Sequence, residues 1–434
     1  MSDPREILEQ IARSAPAPTP GLEGLRRRRR RREVRRRAAA FVVAAIIVVP
    51  GAWLIINALG GLRDGKQPAY QPLASSNVAN IAHIWQADIG GVSTASAATD
   101  RTMVYVGTAS GTLLAIDPID GSQAWSTQLD GIVTSKPVVA AGRVYVHTNQ
   151  GMLYAFPSSC QTPCPPIWTA RTGSTASSTP TAGGGYVFVV SDKGGLFAFS
   201  ADCGSGGSAC LPAWVAHTGQ HLPVEVAVSG GVVWDSSSEA LLAFGESCGT
   251  ASAECRSLTD GFRPAAPLSG PPVVAGDVVY VGGGDGSLYA IPTACASDRA
   301  SCRPLWIGKT HGPISSTPLV EGRVVYVGSN DGNVYAYPAL CRADGSTCKP
   351  SWIGRTVGPI SDTPAFAGGV VFVPSGDEVY MFAGSGPSTG RRAPIARRAF
   401  GSRTLQTIVS NERVLIVEAR SGILFALAVG RAGP

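Results

Sequence analysis

Ten cysteines carry the most definite chemistry in this 434-residue chain. They form five local pairs, Cys160/Cys164, Cys203/Cys210, Cys248/Cys255, Cys295/Cys302 and Cys341/Cys348, four of them with one C-x6-C spacing. Thiolates so placed could hold a metal or close a disulfide. A zinc site takes four ligands, usually from two Cys/His pairs, whereas each pair here stands alone in its own stretch without a partnering histidine. The inserts are rich in Gly, Ser and Asp and cannot pack a core, so disulfides are expected. Disulfides require an oxidising compartment. His217 and His221 have a metal-like spacing but no third ligand, and read as surface histidines. No His-Glu-x-x-His or phosphate-binding loop is present, and no catalytic, metal or cofactor-binding residues are expected.

The elements that hold these pairs repeat. A short apolar strand recurs as Leu113-Leu-Ala-Ile, Leu153-Tyr-Ala-Phe, Leu196-Phe-Ala-Phe, Leu241-Leu-Ala-Phe, Leu288-Tyr-Ala-Ile, Val334-Tyr-Ala-Tyr, Val379-Tyr-Met-Phe and Leu424-Phe-Ala-Leu, at spacings of 40 to 47 residues. A Trp accompanies most copies: Trp85 before the first, then Trp125, Trp168, Trp214, Trp306 and Trp352, with Leu258 and Ile395 in the two remaining places. Each unit also has a Ser/Thr-rich approach to a Pro or apolar strand, as in Ser178-Thr-Pro-Thr and Ser316-Thr-Pro-Leu-Val, and a β-branched strand such as Val324-Val-Tyr-Val. Asp-Gly turns such as Asp285-Gly286 and Asp331-Gly332 supply the positive φ of tight hairpins. Four short strands per unit cannot bury their faces alone, and radial stacking solves that problem. The expected fold is all-β: an eight-bladed β-propeller with four-stranded blades, preceded by one transmembrane helix. The array opens on a Trp-type strand at 85–89 and ends on an apolar strand at 423–428, so the first strand is expected to complete the last blade.

Ala115-Ile-Asp117-Pro-Ile-Asp-Gly121-Ser-Gln-Ala-Trp125 resembles the docking motif of the pyrroloquinoline-quinone-type repeat, Ala-x-Asp-x-x-x-Gly-x-x-x-Trp. The resemblance covers about 83–428 and implies that Trp85, Trp125, Trp168, Trp214, Trp306 and Trp352 dock neighbouring blades. The chain is similar to the propeller subunit of the outer-membrane assembly machinery, and also to exported quinoprotein dehydrogenases. The second likeness implies the quinone with Ca²⁺, which needs carboxylate and amide oxygens, an Asp base and a planar slot. Many such enzymes place two adjacent cysteines over the quinone, and this chain has no Cys-Cys dipeptide. Asp192, Asp285, Asp331 and Asp377 sit at hairpin turns, where Asp serves the backbone.

Charge is concentrated at one end. Ten of the twelve residues 26–37 are Arg, and residues 1–37 carry a net +7 against +6 for the whole chain. The rest has no excess positive charge for phosphates, which argues against a nucleic-acid partner. Residues 38–56 contain no charge, and about 20 helical residues cross a bilayer. Basic flanks stay in the cytoplasm. The expected organisation is therefore a cytoplasmic Arg-rich tail (1–37), a membrane helix (38–60), a linker (61–82), the propeller (83–428) and a tail (429–434). The expected localisation is the bacterial cytoplasmic membrane, single-pass, with the propeller in the periplasm or outside the cell. The function read from this is a non-catalytic extracytoplasmic scaffold for an envelope protein, peptide or ligand, without cofactor, and the alternative is a quinoprotein oxidoreductase. A ring mouth lined by Ser135, Thr179, Thr317 and Thr363 is expected from the Ser/Thr-rich approaches.

Overall fold

The second strand of most repeats reads as an apolar run because both of its faces are covered, with buried His147, Asp235 and Glu418 among the exceptions. Val104–Gly107, Val325 to Val327 and Val414 to Val417 are buried throughout, as strands between two packed sheets must be. The computed structural model describes residues 70–431 apart from 94–95, 174–177, 205–207, 220–224, 249–253, 298–301, 342–344, 386–389, 403 and 411. The expected tail 1–37, the membrane helix 38–60, linker residues 61–69 and His221 lie outside the described residues. Among the described residues no helix is long and apolar enough to cross a membrane.

Eight sheets form, each built on an antiparallel meander, and three of them add a short parallel strand at the outer edge. In the second blade Val138–Ala140, Arg143–His147, Met152–Pro157 and Trp168–Arg171 pair in sequence order from the ring axis outward. The Asp-Gly turns behave as their chemistry requires. Gly286 has φ 74°, and a Cβ there would lie 2.7 Å from Gly312 O, so only glycine fits.

The ring closes with strands from both ends of the array. Ile81–Asp88 pairs antiparallel with Ile423–Arg431, with Trp85 opposite Ala426. The propeller is longer than 83–428: Tyr70 pairs with Arg431, and Leu73, Val78 and Ile81 are buried against the last two blades. Residues 70–82 are thus part of the domain and not linker, because their apolar side chains complete a core. The eight hydrophobic clusters each span two neighbouring blades. The core is therefore a set of eight seams between blades.

Two register details differ from expectation. In the seventh blade Ala396, opposite Met381, takes the place that Trp306 takes opposite Ala290, and Ile395 lies one residue earlier. In the fourth blade Leu258 N–H donates to Ala243 O just as Leu305, the residue before Trp306, donates to Ala290 O. Apolar type alone could not set the register to a single residue. Phe262, opposite Leu241, packs on Tyr289 of the next blade with ring centroids 4.9 Å apart.

Candidate functional site

All five cysteine pairs are disulfides, with Cα–Cα distances of 5.2 to 6.1 Å, and no described cysteine is free. The second cysteine of each pair, Cys164, Cys210, Cys255, Cys302 or Cys348, is buried in a seam. Each insert reaches back to the outer strand of the preceding blade. Ser208–Cys210 pairs in parallel with Trp168–Arg171, Thr347–Cys348 with Trp306–Lys309, and Cys255 bridges in parallel to Ala216. The Cys160–Cys164 insert makes a side-chain contact instead, Ser126 N–H donating to Thr162 Oγ1. The inserts therefore cover outer edge strands, whose unpaired backbone groups otherwise invite pairing with another chain. Sequence spacing located the inserts but carried no signal for this backward pairing.

The indoles form a matching series. Nε1 of Trp85, Trp125, Trp168, Trp214 and Trp306 donates to the carbonyl of Pro118, Ser158, Ala201, Glu246 and Ala339, at 2.9 to 3.2 Å. Each acceptor lies just beyond the third strand of the next blade. Trp352 instead lies under the Arg392 guanidinium, 4.6 Å from the ring centroid. Trp85 is half-buried and the other five are buried.

On the ring axis lies a well of about 380 Å³. The inner strands of blades one to seven begin at Ala98, Val138, Thr181, Ala227, Val273, Leu319 and Ala365. The residue two places before each start, Ser96, Lys136, Thr179, Glu225, Pro271, Thr317 or Thr363, lines the well. Thr134, Ser315, Ser361 and Asp362 complete it. A Pro usually follows the lining residue and holds it extended. The residue before it turns the other way. Ser135, Ser178 and Ser316 are buried, and their Oγ atoms accept the N–H of His147, Val190 and Gly328 at 2.8 to 3.0 Å. Of the four expected mouth residues, Thr179, Thr317 and Thr363 line it. Ser135 does not, because its hydroxyl completes the sheet ladder, and Lys136 stands in its place. Lys136, Glu225 and Asp362 were missed; counting back from the strand starts would have found the first two.

Behind the wall of the well, at the seam between the last and first blades, Glu418 is almost wholly buried. Its carboxylate accepts hydrogen bonds from the Ser93 hydroxyl and the Ala97 N–H. Burial pushes its pKa up to about 7, opposed by those hydrogen bonds and by Lys136, with Asp362 adding to the rise. Three other seams are apolar at this register, where a Cβ on Gly107, Gly282 or Gly328 would strike Val133, Ile314 or Ile360 of the next blade, while the second and fourth blades place buried His147 and Ser236 there.

A family model for the outer membrane protein assembly factor BamB, of the PQQ_2 type, matches residues 75–159 and 165–336, more than half of the chain. The chain belongs to the BamB family. The BamB of Yersinia pestis is 43% identical over 56 residues, 13% of this chain and 14% of that protein, so the alignment spans about a seventh of the curated relative. BamB from Moraxella catarrhalis has the same fold at a TM-score of 0.61 and 15% identity, covering 82% of this chain and 99% of that one. A quinohemoprotein alcohol dehydrogenase from Comamonas testosteroni also shares the fold, with TM-score 0.63, 12% identity and coverage of 91% and 85%. At such identities the likeness is one of fold.

The quinone and its calcium need carboxylate and amide oxygens together with a planar slot. Among the described residues no group of three or more His, Cys, Asp or Glu could hold a metal ion. The well lining contains hydroxyls, Pro271 and three charged groups, with no aromatic slot for a planar cofactor. The residues that line the well do not fit that group.

Proposed function

We propose that this BamB-family chain is a non-catalytic scaffold that holds an envelope protein, working without a cofactor on the far side of the cytoplasmic membrane and tethered by residues 38–60. Family membership, five disulfides and the apolar stretch after the Arg block support this reading. The indole series acts in it as blade docking, keeping the ring rigid under load.

The observation that carries the proposal is a collar around the well. Six residues before their inner strands, Val92, Ile132, Pro267, Pro313 and Pro359 are all exposed. Because strands within a blade alternate in direction, these residues share one face with the turns between second and third strands. The disulfide inserts and Tyr70, where the described chain begins, lie on the other face. Apolar residues at one register around a polar centre suit a protein partner, whose core contacts are apolar and whose rim is polar. Photo-crosslinkers at positions 92, 132 and 359 should trap one discrete envelope protein in intact cells. Positions 158 and 202 on the opposite face should not. Equal capture from both faces, or none from the collar, would refute the proposal.

A further inference from the structure

We infer that the outer edge of the seventh blade is a docking strand for an acidic, extended segment of a partner protein, which adds to it as a fifth, parallel strand. The chain itself shows the geometry. On blades two, five and six the following blade lays a short parallel strand against the outer strand: Ser208–Cys210, Thr347–Cys348 and Arg391–Arg392. The hydrogen bonds fall at one register. Ile307 and Ile353, one residue after Trp306 and Trp352, give their N–H to Ser346 O and Gly390 O at 3.1 and 3.2 Å. Val215 O, one residue after Trp214, accepts the Cys255 N–H at 2.9 Å. In blade seven that register belongs to Arg397, one residue after Ala396. Yet among the described residues Ala396–Ala399 pairs with Glu378–Ala383 alone. In each covered case the covering residues lie between the third and fourth strands of the following blade. In the last blade those strands, Ile423–Arg431 and Ile81–Asp88, come from opposite ends of the array, so no insert joins them. An edge left open in this way invites a strand from another chain.

Beside this edge lies a groove of about 340 Å³ between the seventh and last blades. Ile81, Phe400, Phe425 and Leu427 form its apolar wall, with His83 and Arg398 on its polar side. Phe400 and His83 both pack on Phe425, at centroid distances of 5.1 and 6.0 Å. Charge chooses the occupant. Residues 390–403 hold five Arg and no Asp or Glu. Arg391 and Arg397 are exposed. Arg398 Nη2 donates to Ala79 O and Ile81 O at 2.9 and 3.1 Å, carbonyl contacts that fix the guanidinium at the groove without neutralising it. Glu378 lies 3.6 Å from Arg397 and offsets part of this charge. Residues paired across neighbouring strands point to the same side. Acidic side chains opposite Arg397 and Arg398 therefore meet their guanidinium groups, while apolar side chains opposite Ala396 and Phe400 enter the groove. Complementary charge of this kind selects the partner and sets the register. Residues 61–69 of this chain carry a net +1, the same sign as the patch, and do not suit it.

This inference goes beyond the collar and stands without it, since the two are separate sets of residues. Its test is fluorescence anisotropy of the full-length chain in detergent with a neutrally labelled, end-blocked peptide, Thr-Leu-Glu-Glu-Thr-Phe-Thr. Two further forms serve as controls, one with both Glu replaced by Gln and one N-methylated at both Glu. The acidic peptide should bind saturably. The Gln form should bind at least about tenfold more weakly, the loss expected for a charge-assisted contact. The N-methylated form keeps the charge but cannot donate to the edge, and should also bind at least about tenfold more weakly. Arg397→Gln should weaken the acidic peptide about tenfold yet leave the Gln form unchanged, and Arg398→Gln should behave alike. Far-ultraviolet circular dichroism and melting confirm folding, and either variant suffices if the other fails to fold. The N-methylated form binding as well as the acidic peptide would mean attraction by charge alone, as toward a lipid headgroup, and would overturn the inference. So would equal binding of the Gln form, or no binding at all, the result expected if the chain's own residues or a second copy cover the edge. Collar crosslinking would be untouched by those failures.

Discussion

Single residues matter most where two blades touch. Trp168 is fully buried, packs on Tyr145 of its own blade and Phe199 of the next, and gives its N–H to Ala201 O at 3.0 Å. Trp168→Phe keeps most of the packing but leaves that carbonyl without its donor, which should cost about 1–3 kcal/mol. Trp168→Ala adds a cavity and should cost about 3–5 kcal/mol. Denaturant unfolding of both variants checks the order, and a Trp168→Ala midpoint matching the parent would refute the role. Glycine does the opposite work at the same seams. A Cβ on Gly328 would lie 2.2 Å from Ile360 Cγ2, so Gly328→Ala should destabilise by about 1–3 kcal/mol through overpacking. Adding Ile360→Ala should recover part of that loss, because the two residues are in contact and their effects do not add. A double variant as unstable as the sum of the singles would show that the contact is not the cause.

Among the elements, the second strands of the last and second blades carry two buried titratable groups with opposite linkage. Burial holds Glu418 at about 7 against an ordinary 4.5 and His147 at about 4 against 6.5. Below pH 7 folded Glu418 keeps a proton that the unfolded chain releases, so its contribution to stability grows as pH falls from about 7 to 4.5. Folded His147 refuses a proton that the unfolded chain takes, so its contribution is lost as pH falls from 6.5 to about 4. Each effect is worth up to a few kcal/mol, and in the parent protein they oppose one another. Relative to the parent, Glu418→Gln should be more stable at pH 8 and lose that advantage on acidification. His147→Gln should gain on the parent as pH falls. Melting curves across pH 4–8 that run parallel for parent and variants would contradict both assignments. Neither group was legible in the sequence, although the recurring strand type was. A strand's apolar run and Gly-rich turns announce the strand itself. Which of its residues faces a seam depends on register against the next blade, and a one-residue slip reverses the face. The same limit explains why Ser135 was placed at the mouth when its neighbour Lys136 stands there, and why Ile395 was placed one residue early. The cysteine pairing was legible because each pair is local; the parallel pairing of the inserts with the preceding blade was not, since it joins residues some 40 apart with no matching pattern.

The whole molecule is held by closure. Each blade buries its faces only against its two neighbours, so seven seams follow from chain order while the eighth needs both ends of the array. At that seam Ile81–Asp88 supplies the outer strand of the last blade, Glu418 joins Ser93 and Ala97, and Arg413 Nη1 donates to Tyr70 O. Repeat arrays derive their stability from neighbour interfaces, and an open ring would expose the Ile89, Val104, Leu114, Val414 and Ile416 cluster to water. Deleting residues 70–88 should therefore lower the stability of every blade at once, seen as loss of hydrogen-exchange protection in Val232–Ser236 and Val278–Gly282, on the far side of the ring. Local loss confined to Ile423–Arg431 and its neighbours, with those distant strands still protected, would mean that the blades stand independently. Supplying a peptide of residues 70–88 in trans should restore protection throughout, because what the deleted chain lacks is one edge of one sheet and not any information needed by the other seven.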